Sequence, residues 1–269
     1  MVSQRIALGI EYDGSRFAGW QVQHHAETVQ QAVEAALSVV ADRPVSVACA
    51  GRTDTGVHAL EQVVHFDCEV KRDLRAWVFG TNSNLPKAVS VLWAKPVPAD
   101  FHARYSALAR RYRYVILSRP VRPTFLARRV TWDYRALDER RMRIAAGFLL
   151  GEHDFSAFRA VSCQARTAVR TISQLNVQRH GDFIVIDVEA NAFLHHMVRN
   201  IAGVLMAIGA GEREVDWAKA VLESRDRTQG GVTAPPYGLY LMQVTYPAEY
   251  GINAGRETLL EYLPAVMRG

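Results

Sequence analysis

One short segment, AGRTDTGVHA at residues 50–59, holds the side chains best suited to chemistry. Asp54 follows Arg52 and precedes His58, so its carboxylate lies close in sequence to a permanent cation and to an imidazole. An arginine beside a carboxylate favours the ionised form and lowers the pKa of the carboxyl group. The spacing therefore predicts an ionised aspartate that acts as a nucleophile or as a base.

The triplet Asp54-Thr55-Gly56 also occurs in aspartic proteases, which need two carboxylates that share one proton. The chain has one such triplet and no D-S-G, and Arg52 would lower a pKa that the protease mechanism needs raised. A glycosidase likewise needs a carboxylate pair, and the nearest second acid is Glu61. A reaction that loses no leaving group needs no separate general acid, and isomerisation at a nucleoside meets that condition.

A metal site is the next alternative, because the chain has nine histidines. His195 and His196 are adjacent within a predicted helix, where they would point about 100° apart and could not bind one ion. His58, His65 and His102 show no ligand spacing. We therefore expect no metal, and we expect these histidines to be structural or to contact RNA.

The predicted helix, NAFLHHMVRNIAGVLMAIG, supplies a second candidate side chain. Apolar residues three and four positions apart form its core face, whereas Arg199 shares another face with His195 and Gly203. An arginine in such apolar surroundings is costly to bury unless it is paired. Two interpretations stay open: Arg199 is a surface residue, or it is the partner of Asp54.

The distribution of charge indicates the kind of partner. The chain of 269 residues has a net charge of +5, with 28 arginines and only four lysines. Residues 104–143 contain twelve arginines and three acidic residues, which gives this segment a charge of +9. Genome composition is an alternative cause of the arginine excess, but so one-sided a cluster favours a polyanion, and nucleic acid above others.

The cysteines and the apolar segments indicate the cellular compartment. The three cysteines include no C-x-x-C pair and argue against a disulfide framework. No apolar run is long enough for a signal peptide or a membrane span. We expect a soluble cytoplasmic protein.

Periodicity and turn signals predict the elements that must position these residues. Strands are predicted at residues 5–13, 45–50, 63–68, 89–94, 109–118, 175–179, 183–189 and 238–246, and helices at 29–41, 74–81, 137–150, 191–208, 214–223 and 255–263. This order lacks regular alternation of strand and helix and has no glycine-rich phosphate loop. It predicts an α+β fold with largely antiparallel sheets, in two domains at residues 1–103 and 104–269.

Several blocks resemble the TruA family of tRNA pseudouridine synthases. GRTDTGVHA resembles the family signature, with Asp54 at its centre; Thr55, where the family more often has alanine, is a departure that could tune the loop. Five further blocks follow the family order: EYDGSRFAGWQ, FHARYSALARRYRYVI, HDFSAFRA, NAFLHHMVRNIAGVL and APPYGLYL. The resemblance covers about 230 residues between Glu11 and Leu241.

The resemblance implies a fold and a reaction. The fold would have two related ferredoxin- or RRM-like halves around a central basic cleft, in a homodimer whose subunits both touch one tRNA. The reaction would convert uridine to pseudouridine at positions 38 to 40 of the tRNA anticodon stem-loop. The glycosidic bond breaks, the uracil turns, and it rejoins through C5, without cofactor or metal.

Matched to the family pattern, Asp54 is the nucleophile, Tyr112 stacks on the target uracil, and Arg199 pairs with the catalytic aspartate. Leu239 matches the apolar residue of the last active-site strand. From spacing alone, Tyr112 would be a half-buried core residue, but stacking there would offset part of the cost of extruding a uridine.

The remaining candidates are arginines that could bind RNA. Arg52 either contacts a phosphate or anchors its loop. The others expected along the RNA path are Arg16, Arg104, Arg110, Arg111 and Arg113. Side chains alternate between the two faces of a strand, so only some of the last three can reach phosphate. The alternative function is a catalytically silent RNA-binding protein on the same fold.

Overall fold

The computed structural model describes residues 4–252, which form ten strands and five α-helices. In chain order these are β1 (Gln4–Tyr12), α1 (Val29–Ala41), β2 (Ala48–Cys49), β3 (His58–Cys68), α2 (Thr81–Asn84), β4 (Val89–Val97), β5 (Ala109–Ser118), β6 (Thr131–Asp133), α3 (Glu139–Gly147), β7 (Gly151–Asp154), β8 (Val169–His180), β9 (Phe183–Ala190), α4 (Met197–Gly209), α5 (Trp217–Ser224) and β10 (Leu239–Thr245). The helix expected at 255–263 lies outside the described residues.

The described residues divide into two compact units. The first contains residues 4–108 and 240–252, and the second contains residues 109–239. The last strand therefore joins the first unit, because β10 pairs with β3. The domain division expected from sequence, at residues 103 and 104, stays a prediction.

The first unit is built on a sheet with β1 at its centre. Strands β3 and β4 pair antiparallel with β1, and β2 pairs antiparallel with β3. Only β10 runs parallel to β3, with Tyr240 opposite His58. Helix α1 begins after Thr28, whose side chain accepts a hydrogen bond from the amide of Gln31, and ends at Asp42 in the left-handed conformation. Strand β3 begins immediately after the segment that holds Asp54.

The second unit has the strand order β5-β9-β8-β7, with every neighbouring pair antiparallel. The short strand β6 runs parallel to β5. Helix α3 is capped by Asp138, which accepts hydrogen bonds from two amides of the first turn. Its Arg143 donates to the carbonyl of Val177, which joins the helix to β8. Both units are thus mixed α+β structures with mostly antiparallel strands, as the sequence predicts.

Several predicted boundaries are wrong. Strand β3 begins at His58 rather than at residue 63, because the buried residues next to the Asp54 segment also pair with β10. The helix predicted at 74–81 is present, but it contains a π turn, Ala76–Gly80, and continues through α2 to Asn84 rather than ending at residue 81. The sequence also missed β6 and β7, since the first has three residues and the second, GEHD, lacks alternation.

The most consequential correction concerns the helix predicted at residues 191–208. Helix α4 begins at Met197, and His196 before it has a left-handed backbone, with φ of 63°. His195 and His196 therefore precede the helix, and their ring centroids are 4.1 Å apart. The argument that helical geometry separates these two rings is wrong.

Within residues 4–252, no helix is long and apolar enough to cross a membrane.

Candidate active site

Asp54 lies in the first unit, on the loop between β2 and β3. Buried Gln62 on β3 fixes the start of this loop: its Nε2 donates to the carbonyl of Gly51 at 2.5 Å, and its Oε1 accepts from the Gly51 amide at 3.4 Å. The carbonyl of Asp54 accepts from the Val57 amide at 3.1 Å, in a turn that includes Gly56 with φ of 81°. The loop thus holds a half-exposed carboxylate on a hydrogen-bonded backbone.

The backbone of residues 19 and 20 supports the loop from one side. The Trp20 amide donates to the Thr53 carbonyl at 3.0 Å, and the Thr53 hydroxyl shares a 2.8 Å hydrogen bond with the hydroxyl of Tyr12. Gly19 has φ of 95°, and a Cβ there would lie 2.8 Å from the Thr53 oxygen and 3.1 Å from the carbonyl carbon of Asp54. Only glycine allows this close approach in that conformation.

His58 anchors the other end of the loop. Its Nδ1 lies 3.1 Å from Asp13 Oδ1 and accepts a hydrogen bond from the Gly14 amide at 3.2 Å. The imidazole ring stacks on Tyr240 of β10 with centroids 4.7 Å apart. A Cβ on Gly14 would lie 1.9 Å from the carbonyl oxygen of Val57. His58 is buried, so its role here is structural, one of the two roles expected for it.

Two of the arginines expected to bind RNA, Arg52 and Arg104, belong to the first unit. Burial raises the pKa of the Cys49 thiol to about 11, and the positive charges of Arg52 and Arg104 oppose that rise. Cys49 ends β2 just before the Asp54 loop. Arg52 and Arg104 are exposed, as is Arg16 in the 3-10 turn after β1.

The second unit holds Tyr112 and Leu239. Tyr112 lies on β5 with 8% of its surface exposed, and its ring meets the edge of Phe193 with centroids 5.0 Å apart. Leu239 is buried at the start of β10, and its amide donates to the carbonyl of Pro236. Both residues thus have well-defined positions within this unit.

Arg199 is tied to the segment that precedes β10. Its Nε donates to the carbonyl of Ala234 at 2.9 Å, and the Ala234 amide donates to the Arg199 carbonyl at 3.1 Å. One turn further along α4, a Cβ on Gly203 would lie 2.0 Å from the carbonyl of Val232. The segment from Val232 to Ala234 therefore packs against the helix face that carries Arg199, and this face is not fully exposed to solvent.

A polar network under this segment was missed from the sequence. Asn200 is buried on α4, and its Nδ2 donates to the carbonyl of Phe158 at 2.7 Å. Its Oδ1 accepts from Thr233 Oγ1 at 2.7 Å and from a guanidinium nitrogen of Arg227 at 3.1 Å. These bonds fix the segment that holds Arg199 Nε. The polar Asn200 within an apolar helix was the available signal, since buried polar groups need partners.

The arginines on β5 have different surroundings. Arg110 is buried and donates to the carbonyl of Asn191 at 2.9 Å, and Arg113 makes two hydrogen bonds to the carboxylate of Asp187, at 2.8 and 2.9 Å. Arg111, between them in sequence, is partly exposed. Their expected contact with RNA stays a prediction, and Arg111 and Arg113 are more exposed than the buried Arg110.

Chemically, the first unit supplies a carboxylate on a firmly held loop with exposed arginines beside it. The second supplies an aromatic ring and a positioned guanidinium. A carboxylate can attack an electrophilic carbon, and exposed arginines suit a phosphate backbone.

Comparison with known proteins identifies the class. The model of the family described as tRNA pseudouridine synthase matches residues 9–106 and 145–247. The chain belongs to this family. The two matched ranges include the Asp54 loop and the helix that carries Arg199.

Curated relatives are similar over nearly the whole chain. "tRNA pseudouridine synthase A" of Legionella pneumophila (strain Lens) is 60% identical over 92% of this chain and 95% of its own length. The proteins of the same name from Pseudomonas aeruginosa (strain PAO1) and Coxiella burnetii (strain Dugway 5J108-111) are 62% and 60% identical, over 91% of this chain and 87% and 94% of their own lengths. The chain is accordingly an isomerase, a tRNA pseudouridine synthase.

One solved structure, "Crystal Structure of a Cbf5-Nop10-Gar1 Complex", aligns with 88% of this chain at a TM-score of 0.40 and 11% identity. This chain spans about half of that one, 48% of its length.

Proposed function

We propose that the protein converts uridine to pseudouridine at positions 38 to 40 of the tRNA anticodon stem-loop, with Asp54 as the nucleophile. The observation that carries the proposal is the Asp54 loop. It is fixed by Gly19 on one side and by His58 on the other, and it holds a half-exposed carboxylate within the range that the family model matches. Identity of 60% to relatives named tRNA pseudouridine synthase A supports the choice of substrate.

The reaction balances without a co-reactant. The bond from C1′ to N1 of the uracil breaks, and a bond from C1′ to C5 forms. C5 loses its proton and N1 ends the reaction with one, so product and substrate have the same mass. A nucleophile that holds the intermediate between these steps would divide one difficult exchange into two easier ones.

The other site residues have roles in the same proposal. Tyr112 stacks on the target uracil, Arg199 pairs with the carboxylate of Asp54, and Leu239 lies against the base. Arg52 contacts phosphate. The remaining RNA contacts are assigned to exposed or partly exposed arginines, Arg16, Arg104 and Arg111, with Arg110 as a buried support for β5.

The proposal also includes an arrangement of the chain. Two related ferredoxin- or RRM-like halves flank a central basic cleft, and two chains form a homodimer whose subunits both touch one tRNA. The net charge of +5 favours such a partner. The reaction takes place in the cytoplasm.

Replacing Asp54 with asparagine tests the proposal. Asp54→Asn keeps the size of the side chain but removes the negative charge and the nucleophile. We expect pseudouridine formation on an unmodified tRNA transcript to fall at least about 10³-fold, with tRNA affinity within about threefold of the wild type. Tritium release from C5-labelled uridine in tRNA measures the reaction, and filter binding measures the affinity.

The matched control is Glu61→Gln, which removes a charge from the same part of the first unit. Glu61 accepts a hydrogen bond from Trp93 Nε1 at 3.2 Å, and a glutamine oxygen can still accept it. This variant should retain near wild-type activity. Full activity of Asp54→Asn would end the proposal of a nucleophile, and a wild-type protein that binds tRNA but releases no tritium would be the silent RNA-binding protein instead.

A further inference from the structure

Three aromatic rings of the first unit, one pair edge to face and the next pair tilted, contact one another in an aromatic column that ends at the surface. The rings of His65 and His102 have centroids 4.6 Å apart, and those of His102 and Tyr105 have centroids 4.3 Å apart. His65 is buried on β3, His102 is partly buried, and Tyr105 is 75% exposed. A large ring so exposed, yet backed by a second ring, is not explained by packing of the core.

A hydrogen-bonded turn holds this aromatic column in place. The His102 amide donates to Ser106 Oγ, and the Ser106 amide donates back to the His102 carbonyl, each at 2.9 Å. Nδ1 of His102 accepts from the amides of Arg104 and Tyr105, at 3.1 and 3.3 Å. Nδ1 of His65 accepts from the Ala103 amide at 3.1 Å. These bonds fix the backbone of the turn that carries Tyr105, and the His102 ring lies against the Tyr105 ring.

The charge around the aromatic column is positive. The guanidinium carbon of Arg104 lies 5.6 Å from the centroid of the Tyr105 ring. Arg104 also acts, together with Arg52, on the Cys49 thiol, which precedes the Asp54 loop in sequence. The exposed ring thus lies next to a cation. An exposed ring beside an arginine suits a base and its phosphate.

We propose that Tyr105 is a second base-binding residue, on which an unpaired nucleobase of the RNA substrate stacks while Arg104 contacts an adjacent phosphate. This base contact is additional to the stacking assigned to Tyr112. The proposal rests on the proposed function. Tyr105 binds the substrate and takes no part in the bond changes. Stacking needs a π face rather than a particular base, so the contact is tolerant of sequence.

Variants of Tyr105 test the proposal by tRNA binding. We expect Tyr105→Ala to weaken binding of an unmodified tRNA transcript about 5- to 20-fold, in the lower range for loss of one stacked base. Tyr105→Phe retains the π face and should bind within about twofold of the wild type. The phenylalanine variant also keeps the packing against His102, so weaker binding in Tyr105→Ala but not in Tyr105→Phe would follow from loss of the ring and not of the hydroxyl group.

Phe79→Ala is the matched control. Phe79 is another exposed ring of the first unit, 60% exposed, with the guanidinium carbon of Arg75 at 5.3 Å from its centroid. Its loss should leave tRNA affinity unchanged. Equal weakening in Phe79→Ala and Tyr105→Ala would show a general surface effect and would overturn the proposal, as would unchanged affinity of Tyr105→Ala.

Abasic tRNA transcripts identify the stacked base. One abasic position in an unpaired segment should weaken wild-type binding as much as Tyr105→Ala does, and the combination should cause no further loss. Additive losses at every unpaired position would refute the stacking contact. At saturating enzyme, Tyr105→Ala should keep the single-turnover rate that Asp54→Asn loses. An active Asp54→Asn would therefore refute the nucleophile while leaving the Tyr105 binding results to be judged separately.

Discussion

His65 is a buried histidine that must stay neutral for the first unit to keep its packing. Burial, with smaller effects from His102 and Arg5, lowers its pKa to about 4. The pKa of an unfolded histidine is about 6.5. Between these two values the unfolded chain binds the proton more strongly than the folded chain, so stability falls as the pH falls. The pKa of His102 is also lowered, chiefly because of burial.

Replacing His65 with asparagine should reduce this sensitivity to acid. The asparagine oxygen can accept the hydrogen bond from the Ala103 amide, and it does not titrate. We expect the wild type to lose about 1 kcal/mol more than His65→Asn between pH 7 and pH 5, after a discount for solvent screening. Urea unfolding at both pH values measures the difference. The same loss in both proteins would show that His65 does not titrate in this range.

Residue types and spacing indicated which side chains could react, but they did not indicate which residues hold the Asp54 loop in place. Asp54 and Arg52 were chosen as candidates because a lone acid beside an arginine permits few reactions, and their roles stay predictions. The part of Gly19 could not be found in this way, since its value lies in a missing Cβ and in contacts made across the chain. His58 was expected to be structural or to contact RNA, but its partners, Asp13 and Tyr240, come from distant parts of the sequence.

At the scale of elements, the turn after β1 is the support on which the Asp54 loop rests. Gly19→Ala would force its Cβ against the Thr53 carbonyl and shift the loop. We expect the single-turnover rate to fall at least about tenfold, because a displacement of about 1 Å at a reacting group can cost far more than its stability. Affinity for tRNA should stay within about twofold. Rapid quench with tritiated tRNA measures the rate.

Gly211→Ala separates this effect from backbone strain. Gly211 also has a left-handed backbone, with φ of 75°, but a Cβ there would meet nothing within 4 Å. Both variants should lose about 1–2 kcal/mol of stability from the unfavourable φ, and only Gly19→Ala should lose activity. Equal loss of rate in both variants would show that the contact with the loop is irrelevant.

The start of α4 shows why element boundaries escape prediction. The apolar spacing of Phe193 and Met197 continues through residues 191–196, so periodicity extends the helix there. In the structure these residues form a loop, and the side chain of Asn191 accepts hydrogen bonds from the amides of Thr171 and Ala192. Contacts with β8 override the local pattern. The strands β5, β8 and β9 were predicted because alternation and the His180-Gly181-Asp182 turn agree with their pairing.

At the scale of the whole molecule, the net charge overstates the number of arginine side chains that can bind RNA. Among the described residues, at least half of the twelve arginines in residues 104–143 donate hydrogen bonds to other groups of this chain. They include Arg110, Arg113, Arg119, Arg135, Arg141 and Arg143. Arg135 alone contacts two carboxylates, Asp133 and Glu212, and its pKa is raised by the hydrogen bond to Asp133 above all. Sequence could count these charges but could not pair them.

The dependence of tRNA affinity on salt should reflect this difference. Each phosphate neutralised by a side chain adds about one unit to the slope of log affinity against log salt. We expect Arg104→Gln to reduce the slope by about one, and Arg113→Gln, which breaks a pair with Asp187, to leave it unchanged. Filter binding from 50 to 300 mM salt, roughly the range where the effect is large, measures it. A reduced slope in Arg113→Gln alone would reverse the assignment.

The parallel pairing of β10 with β3 has a consequence for synthesis on the ribosome. Strand β10 pairs with β3, and its Tyr240 stacks on His58. These residues follow the rest of the first unit by about 130 positions in the sequence. At typical translation rates that distance takes about ten seconds. A nascent chain that stops earlier carries Asp54 but not the strand that pairs with β3, so incomplete products should be targets for proteolysis rather than partially active enzymes.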